Sequence, residues 1–516
     1  MAKVNLDALI PREDFEVVEV TNPGKKKETI SIEDIQANSF FFASLRKPDF
    51  QRETNEWDSS KIIEFIKSFV SGDLIPAIIL WRSSAGFLFV IDGSHRLSAL
   101  AASVNDDFGD GEVSKLFYDG VITEEQKKVA DETRKAIAKA VGPYKDLQLA
   151  ISRPDKVNTQ TVIYAKNLAA LAIQLQWVEG DARKAENSFF KINQQAAPID
   201  KTELRLLEER RRPSSIVARA IIRSGRGHKY WSFFDENIQS EIQALSEEVN
   251  VLLFNPSLET PVRTLDLPVA GRLYAAQTLP LIVDLIGVVA GEEGSLSSND
   301  SDGKRTLDLL RRVKRVACLL NSNHASSLGL HPAVYFYSPE GRHKSASFLA
   351  VVHLMLRLQS QNKLRSFIAV RERFETLCLS TEYIVQQINR KYRIAQKSYI
   401  HIARFLARLI ELSANDDLTD DAMIKAIAST AEFSFLSTQQ LPQSSVAESG
   451  KFNSDAKSAI YLREVLRAAP KCAVCRGYIH RNSVSFDHIN RRRDGGTAVA
   501  NNGQLTHPYC NTGIKS

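Results

Sequence analysis

The chain has 516 residues, 43% of them hydrophobic and 25% charged, with a net charge of +6 at pH 7; that length exceeds one ordinary core and implies two to four domains of a soluble globular class. Mean hydropathy is −0.21 and no run of 18 apolar residues occurs, which excludes a helical membrane span; the first residues lack the basic-then-apolar pattern of a secretory leader, so a cytoplasmic location is expected. Five cysteines (Cys318, Cys378, Cys472, Cys475 and Cys510), three of them within the last 45 residues, argue against a disulfide framework and for metal binding.

Residues 1–40 read as a mixed lead-in with a charged loop at 22–28. Beyond it, Ile62, Ile63, Phe65, Ile66 and Phe69 follow helical spacing. Pro76 precedes a strand-like run, AIILW, and FLFVI, from Phe87, is a second strand. Asp92-Gly93 makes a turn and Arg96 opens another helix, giving a helix–strand–turn–strand–turn–helix unit. The polar stretch 104–154 reads as a helical insertion, and LAIQLQWV at 171–178 as a strand. Apolar Phe189, Phe190 and Ile192 then precede polar Asn193, Gln194 and Gln195, and Asp200 or Thr202 suits the cap of the next helix. From about Leu204 to Leu412 the pattern is largely helical, with FLAVVHLMLRLQ and YIHIARFLARLIEL as the clearest helices. Cys318 and Cys378 fall in apolar helical runs and read as core; the basic clusters RRVKR and NRKYR read as solvated helix faces. A stretch at 434–455, rich in Ser, Gln and Gly, reads as a flexible linker tethering the last module.

Two places concentrate chemistry. The first is Asp92-Gly93-Ser94-His95-Arg96. A turn between strand and helix presents backbone N–H groups at a helix N-terminus, which suits phosphate; Arg96 adds a fork of donors, and Arg52 could supply a second cation. A capped turn with a surface arginine accounts for the same string equally well.

The second is the C-terminal segment KCAVCRGYIHRNSVSFDHINRRRDGGTAVANNGQLTHPYCNTGIKS. Cys472-x-x-Cys475 and His507-x-x-Cys510 are two knuckles that together supply four ligands suited to tetrahedral zinc. So short a segment, with few large apolar residues, needs the folding free energy a metal provides. Interleaved with the knuckles is a hydrolytic set. His488 can act as general base, Asp487 can hold a hard divalent cation, and Asn511 offers a side-chain oxygen beside Cys510. Residues 456–516 carry ten Lys/Arg against three Asp/Glu, a net of +7, while the other 455 residues sum to about −1. That asymmetry is an electrostatic footprint for nucleic acid, with Arg491, Arg492 and Arg493 as phosphate contacts. His480 reads as an exposed loop residue, and Trp57 as core.

The string CxxC, DHI, GG, N, H-x-x-CN, with Lys515 shortly after, resembles the HNH endonuclease family with its ββα-metal fold and zinc knuckles. By position the resemblance implies His488 as general base, Asp487 and Asn511 as Mg²⁺ or Mn²⁺ ligands, and Asn502 as the residue holding the loop that orients the histidine. His507 stands where the family more often has cysteine. The order FQR, IPAIIL, VIDGSHRLSAL, FFKINQQAAPIDKTEL resembles the ParB/sulfiredoxin-like fold, and more narrowly the DGQHR/DGQQR-motif domain of GmrSD-like type IV restriction enzymes and sulfur-modification-dependent phage-defence proteins. It implies a nucleoside triphosphate site at Arg52, Asp92, Gly93, Ser94, His95, Arg96 and Asn193, with hydrolysis as a further activity; Ser94-His95 replaces the usual Gln-Gln or Gln-His pair.

The expected architecture is multidomain α+β. It comprises a ParB/sulfiredoxin-like domain at 1–205 with the insertion at about 104–154, a large helical region at 206–433, the linker at 434–455, and a small HNH domain at 456–516. The expected function is a metal-dependent DNA endonuclease gated by a domain that senses a nucleotide or a DNA modification, in restriction or anti-phage defence. Its expected partners are double-stranded phage or modified DNA and either a second copy or a defence-system protein, with no membrane. The alternative is a DNA-binding regulatory protein whose HNH module does not cut.

Overall fold

A computed structural model describes residues 3–13, 25–48, 54, 57–196, 201–273, 275, 277–291, 297–437 and 451–514, the side chains of 190, 193–196 and 203 excepted. Arg52, Asp200, Lys515, the side chain of Asn193 and the centre of the expected linker, 438–450, lie outside the described residues. The chain forms two compact units, residues 1–210 with 226–233, and residues 211–225 with 234–516.

The first unit is built on a six-stranded mixed sheet. Its strands are β1 (Arg12–Glu13), β2 (Thr29–Ser31), β3 (Leu45–Pro48), β4 (Ile78–Arg82), β5 (Leu88–Asp92) and β6 (Ala172–Trp177), in the order β1-β3-β5-β4-β6-β2. The pairs β1–β3, β3–β5 and β4–β6 are parallel; β4–β5 and β2–β6 are antiparallel. Alternation along β4 and β5 sorts their side chains to two faces. Ile78, Leu80, Leu88 and Val90 pack with Ile62, Ile66 and Phe69 of the helix Ser59–Ser71 and with Leu97 and Leu100 of the helix Ser94–Asn105. Trp81, Phe89 and Ile91 turn the other way, onto Ala185 and Phe189 of the helix Ala182–Ala196 and Leu207 of the helix Lys201–Glu208. Each such side chain contributes about 1.5–3 kcal/mol by leaving water, so the sheet is clamped from both sides.

Local chemistry explains the element ends. Asp58 caps the helix Ser59–Ser71 by accepting from the Lys61 N–H at 3.0 Å, and Gly72, at φ +85°, closes it. The helix after β5 starts at Ser94, two residues before the expected Arg96, because Gly93 at φ +98° reverses the chain in a single residue. The stretch 104–154 is helical as expected (Glu112–Phe117, Glu124–Ala140, Tyr144–Ser152). Its Ala130, Ile137, Leu147 and Ala150 join the principal core of the unit, so it is woven into the fold. The start of the chain is likewise structural: Val4, Leu6, Leu9 and Ile10 are buried.

The second unit is mostly helical. The helices Ser345–Ser360 and Ala395–Ser413, both anticipated from their patterns, pack on each other, and Phe348, Phe367, Phe374 and Phe405 are fully buried. In RRVKR, Arg311 and Lys314 pair with Glu241 and Glu248 of the helix Glu236–Phe254. Cys318 and Cys378 are half-buried. The same unit contains the last module. Asn453 caps the helix Ser454–Arg467; a hairpin of β7 (Ser485–His488) and β8 (Gly503–Thr506) follows, then the helical turn Cys510–Ile514. The architecture is therefore mixed α+β, with a sheet domain first, a large helical region, and a small Cys/His-bearing module last. Among the described residues no helix is long and apolar enough to cross a membrane.

Candidate metal centre and nuclease site

Cys472, Cys475, His507 and Cys510 are all buried, and their ligand atoms lie within 4.8 Å of one another. His507 Nδ1 is 3.3 Å from Cys475 Sγ and 4.0 Å from Cys510 Sγ. Tetrahedral zinc, with bonds of about 2.0 Å to nitrogen and about 2.3 Å to sulfur, sets its ligand atoms roughly 3.5–3.8 Å apart, so the cluster fits zinc. The tautomer fits too: His507 Nε2–H donates to the Tyr478 carbonyl at 3.0 Å, leaving Nδ1 as the ligand. Burial, then the Arg371 guanidinium, hold the His507 imidazole below the ordinary histidine range, in the neutral form a metal requires. All four residues expected from the spacing are brought together.

The hydrolytic candidates lie on the hairpin beside this cluster. Asp487 and His488 end β7, opposite Gln504 and Gly503 of β8. Asp487 is buried, and its carboxylate accepts from Gln504 Nε2 at 2.8 Å. Asn511 follows the last cysteine, and its Nδ2 donates to Ser485 Oγ at 2.8 Å. Ser485 and Asp487 share a face of the strand by its period of two, so Asn511 and Asp487 come to the same face. Asn502 staples the intervening loop: its Oδ1 accepts from Asn490 N at 2.7 Å, and its Nδ2 donates to the Asn490 and Thr497 carbonyls at 3.0 and 2.8 Å. The Asn502 carbonyl also accepts from Ile489 N at 2.8 Å, next to His488. Arg492 and Arg493 are exposed and Arg491 half-buried on that loop.

In the first unit, Asp92 ends β5 and the Gly93-Ser94-His95-Arg96 turn opens the following helix. The Arg96 guanidinium is engaged within its own turn, with Asp92 Oδ2 at 2.6 Å and the Pro76 carbonyl at 2.6 Å. Gly93 sits at φ +98°, which strains any other residue, and a Cβ there would also press on Ile78 Cδ1. Ser94 is buried, and His95 stacks on Trp57 with ring centroids 5.8 Å apart. Trp57 is half-buried and packs against the core.

Residues 32–207 match the family described as GmrSD restriction endonuclease, N-terminal domain, and residues 472–516 match HNH endonuclease. The chain carries a GmrSD N-terminal domain and an HNH endonuclease domain. No curated protein and no solved structure matches it. Together the two domains support a nuclease of the GmrSD restriction type.

The HNH module has neighbours that its own sequence does not announce. Arg371, on the helix Leu364–Ser380, has no exposure. Its Nη1 lies 3.2 Å from His507 Nδ1, its Nη2 donates to the Gly329 carbonyl at 2.9 Å, and its Nε donates to Glu375 at 2.7 Å. Glu375 in turn accepts from Tyr335 OH at 2.9 Å and from Tyr478 N at 2.8 Å, within the knuckle loop. Ser327 and Ser483 share a buried hydrogen bond of 2.9 Å, and Tyr509 N donates to the Ser327 carbonyl at 3.0 Å. His480 corrects an expectation. It is buried against His331, with its Nδ1 3.1 Å from Asn321 Oδ1, and burial lowers it to about 4. Its flanking Arg481 and Asn482 made it read as surface. Arg371 and Glu375, spaced i,i+4 on one helix, carry no local sequence signal of their burial.

Proposed function

We propose that this protein is a divalent-metal-dependent DNA endonuclease of the restriction type, with His488 as general base and the N-terminal domain deciding when it acts. The observation that carries the reading is the pairing of a zinc-fitting cluster with β7. The Cys510 turn holds Asn511 against Ser485 on the strand that ends in Asp487-His488. His488 takes the proton of the water that attacks phosphorus. Asp487 and Asn511 would hold Mg²⁺ or Mn²⁺, which supplies neutralisation of charge at the phosphate and the leaving oxygen. Gln504 fixes the Asp487 carboxylate, and Asn502 fixes the loop behind His488. Arg491, Arg492 and Arg493 position the DNA backbone.

The N-terminal domain serves in this reading as the sensor of a nucleoside triphosphate or of a modified base in phage DNA, with hydrolysis of the nucleotide as a further activity. Its support is the Asp92–Arg96 turn at the end of β5 and the start of a helix, a place suited to a phosphate. Arg96, held by Asp92 and the Pro76 carbonyl, acts there as the strut of the turn. The protein is cytoplasmic in this reading and works as a homo-oligomer or with a defence partner. The test is a cleavage matrix of unmodified and modified DNA with and without ATP or GTP, using wild type and Arg96→Ala. Nucleotide- or modification-dependent cutting that Arg96→Ala loses is expected; cutting indifferent to every nucleotide and modification would remove the sensing role.

A further inference from the structure

The HNH hairpin exposes an apolar surface on the face of β7 opposite Asp487. Phe486 is 78% exposed, an unusual place for a phenyl ring in the middle of a strand, and Ile489 and Val499 are 58% and 57% exposed. In the hairpin register Phe486 stands opposite Leu505, which is 37% exposed. Asp487 and Ser485 face the other way, onto Gln504 and Asn511. By strand alternation Phe486 and His488 therefore share the outward face, about 7 Å apart along β7. Opposite His488 stands Gly503, which adds no side chain to that face. Arg491, Arg492 and Arg493 follow directly on the same loop, and among the described residues none is in an ion pair.

An exposed ring followed closely in the chain by three arginines outside any described ion pair suits a partner that is both flat and anionic. A nucleobase has a π-face for the ring, and its phosphates suit the guanidinium groups. We propose that Phe486 stacks on a base of the DNA substrate while Arg491–Arg493 neutralise the backbone. This rests on the nuclease reading of the same hairpin. It makes Phe486 a positioning residue that favours sites where a base is already easy to unstack: nicked, single-stranded or flexible steps.

The test uses the full-length protein and a 30-bp duplex, in Ca²⁺ for binding and in Mg²⁺ for cleavage. Phe486→Ala is expected to raise the dissociation constant and KM roughly five- to hundredfold, leave kcat within about twofold, and leave Tm and zinc content unchanged. Phe486→Trp is expected to restore wild-type affinity. Its added fluorescence should be quenched by duplex DNA and untouched by heparin, a polyanion without bases. Wild-type affinity in Phe486→Ala, or equal responses to DNA and heparin, would overturn the stacking. So would a Phe486→Ala change confined to oligomeric state, which would mark the face as a contact between copies. DNA binding and quenching without any cleavage would sink the nuclease reading and leave the stack standing.

Discussion

Arg371 meets four groups at once: a zinc-ligand candidate, two backbone carbonyls and the buried Glu375. Removing one partner of a buried ion pair strands the other charge and costs about 3–5 kcal/mol. Arg371→Met is therefore expected to lower the urea stability of the second unit by that amount, and Arg371→Met with Glu375→Gln to recover part of it; a single substitution without effect would mean that the pair is solvated. Gly329 is tighter still: at φ +60°, a Cβ there would stand 2.4 Å from His507 Cδ2. Gly329→Ala should speed zinc release to a chromogenic chelator by displacing the imidazole ring, while Gly495→Ala, on an open loop where an added Cβ meets nothing within 4 Å, should not.

Two histidines, His480 buried and His343 half-buried, set an acid limit. His343 and His480 are each lowered to about 4, first of all by burial. A folded-state value below the unfolded one means that the unfolded chain binds the proton first, so folding is favoured above the unfolded value of about 6.5 and weakens as pH falls from there towards 4. Each contributes on the order of 3 kcal/mol over that window. Tm measured between pH 7 and 4.5 should fall, with the fall reduced in His343→Gln; a flat profile would show that these rings are charged or exposed.

At the scale of elements, the loop between β7 and β8 carries a proposal that its hydrogen bonds support. The expectation that Asn502 holds the loop beside His488 rests on a family pattern, and the three side-chain hydrogen bonds of Asn502 give it a physical form. A neutral hydrogen bond is worth about 1 kcal/mol net, so Asn502→Ala should lower kcat about tenfold or more with KM nearly unchanged; a pure KM effect would assign Asn502 to DNA contact instead. Metal-ligand spacing and a strand–turn–helix string were legible because each is a local constraint: Cys472-x-x-Cys475 cannot be read many ways, and the turn at Gly93 needs a positive φ that favours glycine. The docking of the module was not legible. Its contacts come from Ser327, Gly329, Arg371 and Glu375, residues far away in sequence whose local context is that of any helix or loop. Nor was the burial of Val4, Leu6, Leu9 and Ile10 visible, because no turn signals delimit them as an element.

Across the second unit, the HNH module reads differently from a tethered effector. Its zinc cluster, its knuckle loop and its last turn are each bonded to residues between Asn321 and Glu375. Residues 456–516 expressed alone should bind zinc more weakly than the full chain and expose hydrophobic surface to a dye; a well-folded, fully metallated fragment would show that the contacts are dispensable. The coupling also gives the helical region a physical handle on the nuclease, since any shift of the helix Leu364–Ser380 moves Arg371 against His507. The central claim remains that the Asp487-His488 hairpin cuts DNA. Its most direct test is supercoiled-plasmid cleavage by zinc-loaded protein in Mg²⁺, Mn²⁺ and EDTA, with His488→Ala alongside. The expected result is metal-dependent nicking or linearisation by wild type, abolished by EDTA and reduced at least a hundredfold in His488→Ala, which still binds the plasmid. Cleavage that survives His488→Ala, or no cleavage on any DNA, nucleotide or metal combination, would contradict it.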